Sequence, residues 1–229
     1  MTLSIIALAM CAPLTMAYIW QRIKKTDVAS AIMLKALISL LVVLAAVLAV
    51  VNNFGRENIY ILGGLICCLV GDILLENKVF YPAEGRYLFG GLSAFSIGHV
   101  FYILSIGEYV TTIVTIIAAA VSCFLIAVTW FLGIRLKNLT FSATIYAFVI
   151  TLFIATAING LAFSSPRMIL LSVGSILFAL SDSLLTLIYF KDCDTPPFVA
   201  ANCDTPPFVA ANYVLYIIAQ ICICVTTII

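Results

Sequence analysis

The sequence predicts an all-α, polytopic membrane protein, a bundle of about eight transmembrane helices in one domain spanning residues 1–229. Three observations carry this expectation. First, 65% of the residues are hydrophobic and 9% charged, against a soluble norm of about 25% charged. Polar surface has to cover the outside of a water-soluble fold, and too little is available here. Second, the mean hydropathy is +1.24. Third, the apolar residues fall in long continuous runs, each near the roughly 20 residues that a spanning helix needs. Short alternating strands would mark a β-barrel instead. A net charge of +1 leaves no basic patch for nucleic acid.

The runs can be taken in order. The first, 3–21, starts almost at Met1 without a basic leader, so it reads as a retained helix rather than a cleaved signal. It carries Tyr18 near its end. The second, 28–51, carries Lys35, and the third, 59–76, carries Asp72. Glu76 closes the third run, where it is expected to meet water. The fourth, 87–106, holds His99, and the fifth is 110–133. The sixth, 141–162, holds Tyr146, and the seventh, 167–190, holds Asp182. The eighth, 208–228, holds Tyr216 and Gln220, which share a helix face one turn apart.

Lys and Arg in the loops set the expected orientation. Arg22, Lys24, Lys25, Lys78, Arg86, Arg135, Lys137 and Lys191 fall in odd-numbered loops, and only Arg56 and Arg167 lie on the other side. The odd loops are therefore expected in the cytoplasm, with both termini on the opposite face. The short chain, with no targeting tail, favours a bacterial plasma membrane. In the last loop CDTPPFVAAN at 193–202 repeats unchanged at 203–212. The paired prolines make it a turn-rich linker, and a tandem duplication is the simplest origin.

Six of the eight cysteines lie in apolar runs and read as small buried hydrophobes. No Cys/His spacing fits zinc, and a single His cannot build a three-His site. No metal or cofactor is expected.

Ionisable residues deep in a spanning helix are costly and usually mark function. Lys35, Asp72 and Asp182 are three such residues, and all three fall roughly 6–12 Å from the basic end at 1.5 Å per residue. Agreement in side and depth predicts one polar pocket. Two carboxylates sharing a medium of low dielectric constant cannot both ionise cheaply, so one would serve as a general acid while Lys35 holds the other ionised. Three readings remain open. The cluster is a catalytic pocket, a proton relay in a small transporter, or an ion pair that only fixes packing. Tyr18, Tyr146, Tyr216 and Gln220 are supporting candidates, each equally readable as an interhelical hydrogen bond. His99 is a secondary candidate. A Ser-His-Asp triad would have to use it with Ser93 or Ser96, and no spacing supports that. GDILL at 71–75 is echoed by SDSLL at 181–185, which fits a parallel repeat of four helices.

Several of these motifs, taken in order, resemble the YhhN family of membrane proteins, whose animal members are lysoplasmalogenases. The family's Lys in helix 2 is similar to Lys35, with Ala36 in place of a frequent Pro. Its Gly-Asp resembles Gly71-Asp72. FGGLSAFSIGHVFY at 89–102 resembles its helix 4 pattern, Ser181-Asp182 its Ser-Asp, and YIIAQ at 216–220 its closing Tyr-x-x-Ala-Gln. The region of helices 5 and 6 matches loosely, with Phe153 where Met is usual, and the duplicated linker departs from the pattern. The resemblance implies a hydrolase acting on the vinyl ether of a lysophospholipid substrate in the bilayer. It implies catalysis by Asp72 and Asp182, support from Lys35, Tyr18, His99, Tyr146, Tyr216 and Gln220, and no cofactor.

Overall fold

A computed structural model describes residues 2–24, 28–80, 85–134, 136, 139–190 and 206–229. Eight long helices form: α1 (Thr2–Lys24), α2 (Val28–Asn52), α3 (Arg56–Phe80), α4 (Gly85–Ser105), α5 (Thr112–Phe131), α6 (Thr140–Gly160), α7 (Pro166–Phe190) and α8 (Pro206–Val225). Among the described residues there are no strands. Each helix is long and apolar enough to cross a bilayer, so the chain is a multi-pass integral membrane protein.

The runs predicted from sequence match these helices to within a few residues, with two corrections of consequence. Helix α3 continues to Phe80, four residues past the expected end, which places Glu76 a full turn inside. Glu76 is not wet but buried, 2% exposed. The second copy of the duplicated decapeptide is not wholly linker, because Pro206 opens α8. Proline suits the first helical turn, where its missing N–H is not needed and its φ is already helical. The first copy lies outside the described residues, as do Lys25, Arg135, Lys137 and Lys191 of the charge count.

Seven helices close a ring through the contacts α1–α2–α3–α4–α6–α7–α8–α1, and α5 packs on the outside of α6. The outer surface is apolar, as lipid requires. Exposed Trp20 and Trp130 stand at the end that carries Arg22, Lys24 and Arg86, called here the basic end, while exposed Phe54 and Phe163 stand at the other. Aromatic rings are favoured at such bilayer boundaries.

The short echo between α3 and α7 extends to a repeat of the whole bundle. Glycines bring both α3–α4 and α7–α8 into backbone contact. A Cβ on Gly64 would lie 2.9 Å from the Gly98 carbonyl oxygen, and one on Gly174 would lie 3.2 Å from that of Ala219. Gly64 and Gly174 are 110 positions apart, as are Asp72 and Asp182. Gly98 and Ala219 are 121 apart. The connection between α7 and α8 is 15 residues against four between α3 and α4, so the duplicated decapeptide accounts for nearly all of this change in offset. Equivalent residues also meet each other. Glu57 and Arg167, again 110 apart, form an ion pair with Nη1 3.3 Å from Oε2 at the end opposite the basic one. Phe95 and Tyr216, 121 apart, stack edge-on at 6.2 Å. These offsets and contacts fit a parallel repeat in which α1–α4 correspond to α5–α8.

Small residues let helices approach where lipid gives no hydrophobic drive to pack. A Cβ at Gly64 would meet the Tyr102 ring at 2.2 Å, whereas one at Gly85 meets nothing within 4 Å. Gly64→Ala is expected to destabilise the bundle by about 1–3 kcal/mol, the usual range for overpacking, and Gly85→Ala to leave it nearly unchanged. Thermal unfolding of the two variants in detergent checks this.

Candidate active site

The polar interior of the bundle is built from residues spaced one helical turn apart. Tyr18 and Arg22 lie on α1, Lys35 and Ser39 on α2, Asp72 and Glu76 on α3, and Tyr216 and Gln220 on α8. Residues four apart share a face, so each helix presents a pair to the same interior.

Lys35 is the hub. Its Nζ lies 3.4 Å from Asp72 Oδ1 and 3.4 Å from Glu76 Oε2, and 6.0 Å from the ring centres of Tyr213 and Tyr216. The Glu76 carboxylate also accepts from the Tyr18 hydroxyl at 3.3 Å and faces Arg22 Nε at 3.6 Å. Asp72, 1% exposed, accepts two hydroxyl bonds on Oδ2, from Ser39 at 2.5 Å and from Tyr216 at 2.5 Å. The network then runs inward. Gln220 Nε2 donates to the Tyr216 hydroxyl at 2.9 Å, Tyr102 donates to Gln220 Oε1 at 3.2 Å, and Cys68 Sγ lies 3.5 Å from the Tyr102 hydroxyl. A small cavity of about 10 Å³ sits against Ser39, Cys68, Tyr216 and Gln220. A space of that size with polar walls accommodates about one water.

Asp182 stands apart from this cluster. It is half-buried, and its polar partner is the Tyr146 hydroxyl, which donates to Oδ2. No hydrogen bond joins the two aspartates. Between them runs an aromatic wall. Tyr216 packs on Phe178 at 5.3 Å, Phe178 on His99 at 4.5 Å, and His99 on Tyr146 at 5.6 Å. Asp72 and Asp182 each precede the last residue of their helix, Phe80 and Phe190, by eight residues, a common depth of about 12 Å.

Of the sequence candidates, Lys35, Asp72, Tyr18, Tyr216 and Gln220 come together in one connected network. Asp182 and Tyr146 form a second, smaller unit. His99 lies in the wall between the two and is fully buried. Its Nδ1 is 2.8 Å from the Phe95 carbonyl oxygen. A carbonyl only accepts, so Nδ1 carries the hydrogen, and Nε2 has no hydrogen-bond partner among the described residues. No triad forms. Ser93 and Ser96 donate to carbonyls of their own helix, Phe89 and Leu92, at 2.9 and 2.8 Å. Residues that sequence reasoning did not single out are Ser39, Glu76, Arg22 and Tyr102. The one-turn spacing from Lys35, Asp72 and Tyr18 was the available signal for the first three. Tyr102 gave none beyond its place in the helix 4 pattern.

The architecture and interior define a polytopic helical membrane protein with ionisable residues gathered inside the bundle. The chain matches the YhhN family over residues 30–227 and belongs to it. No curated protein and no solved structure matches it.

Removing Lys35 would leave Asp72 and Glu76 facing each other with one cation fewer. Lys35→Met is expected to destabilise the protein by roughly 3–5 kcal/mol, the range for breaking a buried pair from one side. The Lys35→Met/Asp72→Asn double variant is expected to be more stable than Lys35→Met alone. Unfolding curves for the set in detergent test this, and a double variant as unstable as the two losses summed would contradict the coupling.

Proposed function

We propose that the protein is a membrane-embedded hydrolase that cleaves the vinyl ether bond of lysoplasmalogens. The products are a fatty aldehyde and the glycerophosphoethanolamine or glycerophosphocholine headgroup. The observation that carries this reading is the pair of carboxylates, Asp72 and Asp182, at equal depth in an apolar bundle. Membership of the YhhN family supports it.

The chemistry asks for little more. An acid delivers a proton to the β-carbon of the vinyl ether, and the electron pair of the double bond forms the new C–H bond. The α-carbon and ether oxygen then share an oxocarbenium charge. A nearby carboxylate and the faces of aromatic rings stabilise that cation. Phe178, Tyr216 and Tyr146 supply such rings beside the two aspartates. Water adds at the oxocarbenium carbon and releases its proton to a carboxylate, and the hemiacetal collapses to aldehyde and alcohol. Ser39, Tyr216 and Gln220 line a space for one water next to Asp72. Lys35 and Arg22 lie between the pocket and the basic end, on the path of a lipid phosphate. We take that end as cytoplasmic, from its surplus of Lys and Arg. The cavity against Ser39 and Tyr216 has room for one water and not for a lipid, so a substrate chain reaches it by parting the helices.

A proton-coupled transporter is the second reading. The connected run from Asp72 through Tyr216 and Gln220 to Tyr102 is the observation in its favour, since such chains move protons.

Aldehyde release by purified protein in detergent separates the two. The hydrolase reading expects aldehyde from a lysoplasmalogen but none from the saturated-ether analogue, with no gradient required. Asp72→Asn and Asp182→Asn, folded as wild type, are each expected to lose about 10²–10⁴-fold in rate, the range for acid–base catalysis. Folded wild type that releases no aldehyde with either headgroup would overturn the hydrolase reading, and proton-coupled uptake into liposomes would then support the transporter.

A further inference from the structure

The repeat allows the surroundings of the two aspartates to be compared position by position. The offsets follow from the helix contacts. Asp72 on α3 corresponds to Asp182 on α7, 110 positions on. Lys35 meets Asp72 from α2, and Tyr146 meets Asp182 from α6, 111 positions on. Ser39 then corresponds to Ile150, and Tyr216 on α8 to Phe95 on α4, 121 positions back.

Asp72 has three donors, namely the Lys35 ammonium at 3.4 Å and the Ser39 and Tyr216 hydroxyls at 2.5 Å each. The positions that correspond to these three by offset are Tyr146, Ile150 and Phe95, and of them Tyr146 bonds Asp182. One of these carries a hydroxyl, and the other two are hydrocarbon. The charges divide the same way. Arg22 and Lys35 face Asp72 and Glu76, two cations to two carboxylates. Glu76 itself corresponds to Thr186, whose hydroxyl is turned back to the Asp182 carbonyl at 2.8 Å. No described cation lies within ion-pair distance of Asp182.

From this asymmetry we infer that Asp182 is the carboxyl that keeps its proton and donates it, and that Asp72 is the permanently ionised partner. A carboxylate needs several donors when water is scarce, whereas a neutral acid needs few. Asp72 has the donors for a charge. Among the described residues Asp182 has one, on Oδ2, which leaves Oδ1 to carry the hydrogen and present it as a donor. Tyr146 is then a positioning residue that orients the acid. The proton passes from Asp182 Oδ1 to the substrate β-carbon, Asp182 is left as the anion, and the attacking water returns a proton to it. The donor role rests on the hydrolase reading, but the location of the proton does not.

Infrared absorption of the purified protein in detergent at neutral pH reads the proton directly, through the C=O stretch of a protonated carboxyl. The expected result is one such band, lost in Asp182→Asn, kept in Asp72→Asn and shifted in Tyr146→Phe. Lys35→Met should add a second band that Asp72→Asn removes. Should Asp182→Asn fail to fold, Asp182→Glu keeps a carboxyl and is expected to move the band. A band lost in Asp72→Asn, unchanged in both Asp182 variants, or missing from wild type would overturn the assignment. The band pattern without aldehyde release would refute the hydrolase reading alone, and aldehyde release without the pattern would refute only the proton assignment.

Discussion

Placing carboxylates inside a bundle that is itself surrounded by lipid fixes most of what must lie around them. Neither bulk water nor the bilayer can solvate a charge there, so the protein has to bring donors from several helices to one place. Asp72 and Glu76 on α3 draw in α1 through Tyr18 and Arg22, α2 through Lys35 and Ser39, and α8 through Tyr216. These contacts tie helices that are far apart in sequence. The inner, hydrogen-bonded chain through Gln220 and Tyr102 extends the tie to α4. The same demand explains why α3 stays helical through Glu76, because its carboxylate is satisfied inside the bundle.

The two halves of the repeat share packing and differ in chemistry. Close-packed pairs persist in both halves at Gly64 and Gly174, and residues 110 positions apart pair at Glu57 and Arg167. What differs is the chemistry at the aspartates. Lys35 faces one and Tyr146 the other, and the fifth helix has moved out to pack on α6 while its counterpart α1 reaches α8, with Tyr18 and Tyr213 rings 4.2 Å apart. A duplicated scaffold thus holds two carboxylates at one depth in unequal surroundings, the condition under which two like groups take different roles.

The helices were legible in the sequence because a 20-residue apolar run has few alternatives to spanning a membrane. That Lys35, Asp72 and Asp182 lie inside spanning helices was legible too, since it follows from counting along a helix, but Asp72 was read four residues too shallow because α3 runs on to Phe80. Glu76 was not, because its burial depends on Arg22, Tyr18 and Lys35 arriving from other helices, and sequence position alone put it at a boundary. The repeat showed only as five letters around each aspartate. Its remaining evidence lies in contacts between unlike residues, Glu57 with Arg167 and Phe95 with Tyr216, which no letter-by-letter comparison detects. The expected single pocket resolves into a dense network around Asp72 and a sparse one around Asp182, joined by Phe178 and His99 rather than by a hydrogen bond.

In the proposed reaction Asp72 and Asp182 act as one catalytic unit although no hydrogen bond connects them. The most direct measurement compares aldehyde release by wild type, Asp72→Asn, Asp182→Asn and the double variant, all confirmed folded. Residues that act as a unit are strongly non-additive, and losing both costs little more than losing one. The account predicts a double variant no slower than the slower single variant by more than a few-fold. A double variant whose loss equals the product of the two single losses would mean two independent contributions and would contradict it.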